Sequence, residues 1–443
     1  MTRRLPAFVP PTLLPLAALL LAGCASAQSL DAQRSAMQLA LDAAERGQLD
    51  PARARALARH PVAGWLELAG LRRGIDTVDN AQAQDFLKRY DGQAVANSFR
   101  AVWLPAVARR KDWPTLLANW KDTDNTGLRC ARLTALQATG KADARWSSEV
   151  QALWTGAGKS LPDACDPVFA VWQAQGGLTD ALRWQRVDAA ADAQQPAVMR
   201  AAARGLPADQ LAQANDYAAF VDKPDARALR WPVNARSQRI ATDGLLRLAK
   251  NDPDATERQL PQYATALKLS DTQQGQVRYQ IALWTVASYG PDSARRLAAV
   301  PATAYDERLH EWRTREAMAR GDWAAASSAI TAMGQTQRND PRWQYFQARL
   351  LEKTGKAAQA RPLYQQAART GTFHGFLAAD KLGQPYALCP WTPNDSAAAR
   401  AAVERDPALQ RAIELSKLDR PTWAAAEWKD ALSRFDDTQR RLA

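Results

Sequence analysis

Residues 309–333 read LHEWRTREAMARGDWAAASSAITAM, and residues 343–367 read WQYFQARLLEKTGKAAQARPLYQQA. The two stretches share one pattern. Leu309, Trp312, Gly321-Asp322, Ala326, Ile330 and Met333 answer in order to Trp343, Phe346, Gly355-Lys356, Ala360, Tyr364 and Ala367. The offset is about 34 residues, the period of a tetratricopeptide-like helix-turn-helix. Apolar residues three and four apart mark each half as an amphipathic helix. Gly321 and Gly355 make the turns. Small Ala326 and Ala360 let the paired helices approach closely. Pro362 lies inside the second unit's latter helix and is expected to kink or shorten it, so the array is degenerate. Such a unit cannot bury its apolar face alone, and neighbours must stack. The expected fold is all-α, an irregular, curved α-solenoid.

The same pattern extends outward. Upstream, Trp103, Leu104 and Val107 give an apolar face. Lys111-Asp112-Trp113 marks a turn, and Leu116, Leu117 and Trp120 give the next face. A helix is expected over Arg278–Gly290, stopped by Pro291-Asp292. In Gly47-Gln48-Leu49-Asp50-Pro51, Gly47 ends one helix, Asp50 caps the next and Pro51 occupies its first position. Asn339-Asp340-Pro341 repeats that start signal. Strand signals are nearly absent. Near residue 384 the composition changes: Gly383-Gln384-Pro385 and Pro390-Trp391-Thr392-Pro393-Asn394-Asp395 form a Pro-rich connector. Helical pattern resumes at Ser396, with a face of Leu409, Ala412, Leu415 and Leu418, and another helix follows Pro421. The expected organisation is a signal segment over 1–27, an α-superhelical domain over 28–384, and a small helical linker domain over 385–443, read as incomplete.

The 443 residues are 47% hydrophobic, ample for burial, and too long for one compact core. Lys and Arg exceed Asp and Glu by 12. That excess points to a polyanionic partner, and the N-terminus narrows the choice. Arg3 and Arg4 precede an apolar run from Leu13 to Ala22, too short for a stable bilayer anchor. Two cleavage readings stay open. Leu21-Ala22-Gly23-Cys24 resembles a lipobox that would lipidate Cys24 and tether the chain to the outer membrane. Ala25-Ser26-Ala27 suits ordinary signal-peptidase cleavage before Gln28. Either places the mature chain in the periplasm, where no nucleic-acid partner is expected. The accessible polyanions are peptidoglycan, through its stem-peptide carboxylates, and anionic lipid. Cys130, Cys165 and Cys389 remain. They admit either a Cys130–Cys165 bridge with Cys389 left over, or three buried thiols. A bridge would contribute about 3–4 kcal/mol. His60, His310 and His374 are isolated, without a Cys or His at ligand spacing, so no metal site and no cofactor are expected.

Several stretches resemble the soluble lytic murein transglycosylase family. They include His60-Pro61-Val62-Ala63-Gly64-Trp65-Leu66-Glu67, Trp103-Leu104 through Asp112-Trp113 and Trp120, and Leu153-Trp154. Gly158-Lys159-Ser160-Leu161-Pro162, Ala164-Cys165-Asp166-Pro167-Val168-Phe169, Glu311-Trp312-Arg313, Gly321-Asp322-Trp323 and Arg342-Trp343 continue it. The most specific run is Phe373-His374-Gly375-Phe376-Leu377-Ala378-Ala379-Asp380-Lys381-Leu382-Gly383. The resemblance implies a ring- or horseshoe-shaped superhelix, then a linker domain. It also implies the Cys130–Cys165 disulfide, because the two cysteines stand where the family's pair would be.

In the family a lysozyme-like domain follows and cleaves between N-acetylmuramic acid and N-acetylglucosamine, leaving a 1,6-anhydro end. Its acid is a Glu in a Glu-Ser dipeptide, with a Gly-Leu-Met-Gln-type run downstream. No Glu in this sequence is followed by Ser. No residue takes the family's catalytic role, and the chain alone is expected to be inactive. Asp306, Glu307, Glu311 and Glu316 are close in sequence, but they read as first-turn acids and a solvated face. The basic runs Arg109-Arg110-Lys111 and Arg440-Arg441 read as solvated helix faces. The expected function is a monomeric, peptidoglycan-associated scaffold of a lytic transglycosylase, in contact with other cell-wall proteins. The alternative is an envelope adaptor that binds proteins through its repeats.

Overall fold

The computed structural model describes residues 30–388 and 396–443. The expected signal segment with Cys24, and the connector from Cys389 to Asp395, lie outside the described residues. Among those described there are 26 α-helices, three short 3-10 segments and no strand. The chain is an all-α stack of helix pairs, as the repeat implies. No described helix is long and apolar enough to cross a membrane.

The quoted repeat folds as two such pairs. Helix Glu307–Ala319 packs on Trp323–Thr331, and Pro341–Lys353 packs on Ala357–Ala367. Gly321 and Gly355 turn the chain with φ of +75° and +78°. Asp322 caps the helix after the first turn by accepting the Ala325 N–H at 2.9 Å. Ala326 and Ala360 are buried at the seams. Pro362 sits within the Ala357–Ala367 helix, which continues through it rather than ending. The anticipated start signals are present. Asp50 accepts from Ala52 N–H and Asp340 from Arg342 N–H, each followed by Pro at the first helical position. The helix expected from Arg278 begins earlier, at Asp271. Ser270 and Gln273 form a reciprocal capping box there, which satisfies two otherwise orphaned N–H groups and starts the helix seven residues upstream.

The described residues fall into two compact units: 30–143 with 396–443, and 144–388. In the first, Trp65, Phe86, Phe99 and Trp103 are fully buried, and Phe86–Phe99 and Phe99–Trp103 rings sit 4.5 and 5.6 Å apart. Each such side chain contributes about 2–3 kcal/mol by leaving water. Leu415 and Leu418, from helix Pro407–Lys417 and its C-terminus, join this same core. Trp423 stacks on Trp65 at 5.2 Å. Two buried carboxylates complete the join. Glu414 receives Arg34 Nε at 2.9 Å, and Glu427 receives Trp65 Nε1 at 2.8 Å with Arg411 at 2.9 Å. In the second unit, Tyr217, Phe220, Trp172 and Trp343 are the largest fully buried side chains. Its longest packed run is formed by helices Asp180–Asp192, Pro196–Ala203, Ala208–Asp222, Ala235–Asn251, Pro253–Leu267 and Asp271–Ala287.

Candidate binding cleft

Three helices of the second unit frame a cleft of about 460 Å³. Each has a defined start. Thr179 caps Asp180–Asp192, Asn234 caps Ala235–Asn251, and the Ser270 box starts Asp271–Ala287. On Ala235–Asn251, Arg239, Asp243, Arg247 and Lys250 follow at steps of four, four and three, which aligns them along one face. Gln280 and Trp284, four apart on Asp271–Ala287, form the opposing wall. Asp192 and Gln194 close the end.

The charges in this cleft are unevenly matched. Arg239 is occupied, since it reaches Asp188 at 2.7 Å and Asp192 at 3.3 Å. Arg247 donates from one terminal nitrogen to the Val221 carbonyl at 2.6 Å, while its Nε is buried with no hydrogen-bond partner. Burial pulls the Arg247 guanidinium below its ordinary pKa, opposed only by the Asp243 charge. Burial pushes the Asp243 carboxyl up, the Asp192 charge pushes it further, and Arg239 and Arg247 pull against them. Lys250 is exposed, with its ammonium 5.3 Å from the centre of the Trp284 ring. Trp284 Nε1 donates to Gln280 Oε1 at 2.9 Å, which fixes the ring. The result is a walled pocket holding both signs of charge beside an aromatic face.

A second cleft of about 530 Å³ lies among helices Pro253–Leu267, Asp271–Ala287 and Ser293–Ala298. Its one acid is already matched. Glu257 binds Arg295 and Arg296, each at 2.7 Å. The Arg295 hydrogen bond leads in holding the Glu257 carboxyl at about 2. This cluster ties helices together.

The residues singled out from sequence lie elsewhere. Asp306 caps Glu307–Ala319 by accepting the Leu309 N–H at 2.8 Å, and it also accepts Tyr279 Oη–H at 2.9 Å. Glu311 pairs with Arg342 and Arg315, and Glu316 pairs with Arg320. Glu307 begins the same helix, and its carbonyl accepts Gln337 Nε2 at 2.8 Å. His60 is buried with Nε2 3.5 Å from Glu414. His310 packs by Tyr305, and His374 by Phe346. Among the described residues no three His, Cys, Asp or Glu side chains gather as metal ligands. Arg109 pairs with Asp76, and Arg440 reaches Asp437 at 3.6 Å. Cys130 and Cys165 are each fully buried. The cleft residues Asp192, Arg239, Asp243, Arg247, Lys250 and Trp284 were not singled out. Their four-residue spacing was visible, but charges on a helix face read as solvated until an opposing wall is known.

The soluble lytic murein transglycosylase of Escherichia coli (strain K12) is 24% identical over 431 residues, spanning 94% of this chain. That of Salmonella typhimurium is also 24% identical, over 95% of the chain. The crystal structure of the 70 kDa soluble lytic transglycosylase of Escherichia coli matches the fold with a TM-score of 0.82, at 22% identity over 94% of this chain and 68% of that one. The chain is similar to soluble lytic murein transglycosylases along nearly its whole length. A lytic transglycosylase from Pseudomonas aeruginosa, solved as an inactive mutant, matches with a TM-score of 0.67 at 26% identity, over 91% of this chain and 66% of that one. No protein-family model matches. The chain spans 65% of the length of its Escherichia coli K12 relative and 66% of the Salmonella one. The run Phe373–Gly383 is a helix over Phe373–Leu382, closed by left-handed Gly383. The run from His60 leads into helix Ala63–Arg72, which carries the buried Trp65.

Proposed function

We propose that this chain is the helical scaffold by which a lytic murein transglycosylase engages peptidoglycan in the periplasm. The observation that carries this reading is the similarity to soluble lytic murein transglycosylases along 94% of the chain. In this reading the scaffold binds murein and does not cut it. Support comes from the missing Glu-Ser dipeptide and from Asp306, Glu311 and Glu316, which serve as a cap and ion-pair partners. Residues 1–27 act as the export signal, residues 28–384 as the superhelix and residues 385–443 as the linker. Cys130 and Cys165 form a disulfide in the oxidising compartment, a pairing supported by the burial of both. Peptide mapping under non-reducing conditions tests it, and free thiols at both positions in periplasmic material would remove it.

The function is tested with the purified mature chain and purified sacculi. Co-sedimentation is measured alongside mass spectrometry of the soluble products. The expected result is saturable binding with no 1,6-anhydro muropeptides. Anhydro products would overturn the non-cutting role, and absence of binding would overturn the scaffold.

A further inference from the structure

We propose that the cleft between helices Asp180–Asp192, Ala235–Asn251 and Asp271–Ala287 binds an amino-acid zwitterion, the free ammonium-carboxylate end of the diamino acid in a murein stem peptide. The murein source rests on the proposed function. The zwitterion chemistry rests on the cleft itself.

The cleft offers a carboxylate something the protein leaves unused. Buried polar groups are almost always hydrogen-bonded, and an unpaired one carries a desolvation cost. Arg247 Nε is such a group, buried and without an acceptor. The Val221 carbonyl holds the guanidinium from one terminal nitrogen, which fixes its position and leaves the other terminal nitrogen for an incoming anion. Lys250, three residues on along the same face, adds an exposed ammonium beside Trp284. Arg239 is a poor rival for the anion, because Asp188 and Asp192 already occupy it.

The same cleft offers an ammonium two carboxylates. Asp243 has no ion pair of its own among the described interactions, and Asp192 has only a 3.3 Å contact with Arg239. An ammonium placed by Asp243 and Asp192 relieves the repulsion between them, and a carboxylate placed by Arg247 and Lys250 satisfies the open guanidinium. A simple anion would meet the two aspartates, and a simple cation would meet Arg247 and Lys250. A ligand with both charges on one carbon meets neither penalty. The Trp284 ring supplies a flat wall for the adjoining methylene chain.

Isothermal titration of the full mature chain tests this. The probes are the tripeptide Ala-Glu-diaminopimelate and the same tripeptide ending in lysine, which keeps the side-chain ammonium and lacks its carboxylate. The expected result is binding of the first and at least tenfold weaker binding of the second. Lys250→Met, at an exposed position, weakens the first probe at least threefold. Arg247→Met and Asp243→Asn each weaken it at least tenfold, with helical circular dichroism unchanged. Equal affinity for both tripeptides, or a wild-type affinity in a folded Asp243→Asn or Lys250→Met chain, overturns the zwitterion site. Binding of free diaminopimelate but not of the tripeptide overturns the stem-peptide source. Sacculus co-sedimentation is scored separately. Sacculi retained without tripeptide binding sinks the cleft and leaves the scaffold, and tripeptide binding without sacculi does the reverse.

Discussion

Glu427 has no solvent exposure and links two aromatic and cationic neighbours, Trp65 Nε1 at 2.8 Å and Arg411 at 2.9 Å. Removing one partner of a buried pair leaves an uncompensated charge, which costs about 3–5 kcal/mol. Glu427→Ala should therefore lower the urea midpoint by that equivalent. Glu427→Gln keeps an acceptor for the indole and should lose less. Equal losses would mean that the uncompensated Arg411 charge, not the acceptor for the indole, sets the cost. The histidines give a pH signature of their own. Burial is the leading cause that lowers His60, His310 and His374 from their ordinary 6.5, and at His60 it outweighs the opposing charge of Glu414. The unfolded chain takes up these protons near pH 6.5, and the folded chain takes them up only at lower pH. In that window the unfolded state holds more protons, so stability falls as pH drops. Glu257 and Asp225, both held at about 2, lose their stabilising charge only in far more acidic solution. Chemical denaturation at pH 7.5 and 5.5 should show a loss that shrinks in His60→Gln. An identical slope in that variant would remove His60 from the account.

At the scale of helices, glycine separates two kinds of constraint. Gly355 turns the repeat with φ of +78° and has open space where a Cβ would go. Gly355→Ala should cost about 1–2 kcal/mol from backbone strain alone. Gly244 lies inside helix Ala235–Asn251, where alanine would ordinarily be favoured. Its Cβ would stand 2.4 Å from Phe220 Cε1, however, and the fully buried ring has little room to move. Overpacking there should cost about 1–3 kcal/mol. Double-mutant cycles with Phe220→Leu tell the two apart. Gly244→Ala should couple to it by at least about 0.5 kcal/mol, and Gly355→Ala should be additive. An additive Gly244 cycle would mean that the clash is not with Phe220. These cases also show what the sequence could convey. Turns, caps and apolar faces are local, so Gly321, Gly355, Asp50-Pro51 and Asp340-Pro341 could be read one by one. The capping box at Ser270 was equally local and was overlooked, because the apolar face of its helix is strongest after Arg278. Pro362 does not end its helix, because a helix held by flanking neighbours tolerates one missing hydrogen bond. The cleft was illegible for a different reason. It needs Trp284 set against Arg247, and nothing in the spacing of one helix reports the wall supplied by another.

Across the whole chain, local pairing explains most of the fold but not its first compact unit. Helix pairs such as Glu307–Ala319 with Trp323–Thr331 meet within a few residues. The first unit instead joins Arg34 to Glu414 and Trp65 to Glu427, separations of 380 and 362 residues. Such contacts close the longest loops in the chain and are slow to form, so they should be made last in folding. Until they form, Trp65 lacks both its stacking partner Trp423 and the acceptor for its indole N–H, and the core lacks Leu415 and Leu418. The helices Ala63–Arg72 and Ala94–Arg109 should accordingly depend on residues 396–443 for protection. Native-state hydrogen exchange on the mature chain and on a chain ending at residue 395 measures this directly. Deletion should speed exchange in those two N-terminal helices by an order of magnitude or more. The pair over 307–331, which packs on its immediate neighbours, should keep its rates. Unchanged protection at Ala63–Arg72 would mean that the aromatic cluster of Phe86, Phe99 and Trp103 stabilises the first unit without its distant partner. The buried Glu414 and Glu427 contacts would then set specificity of the join rather than stability.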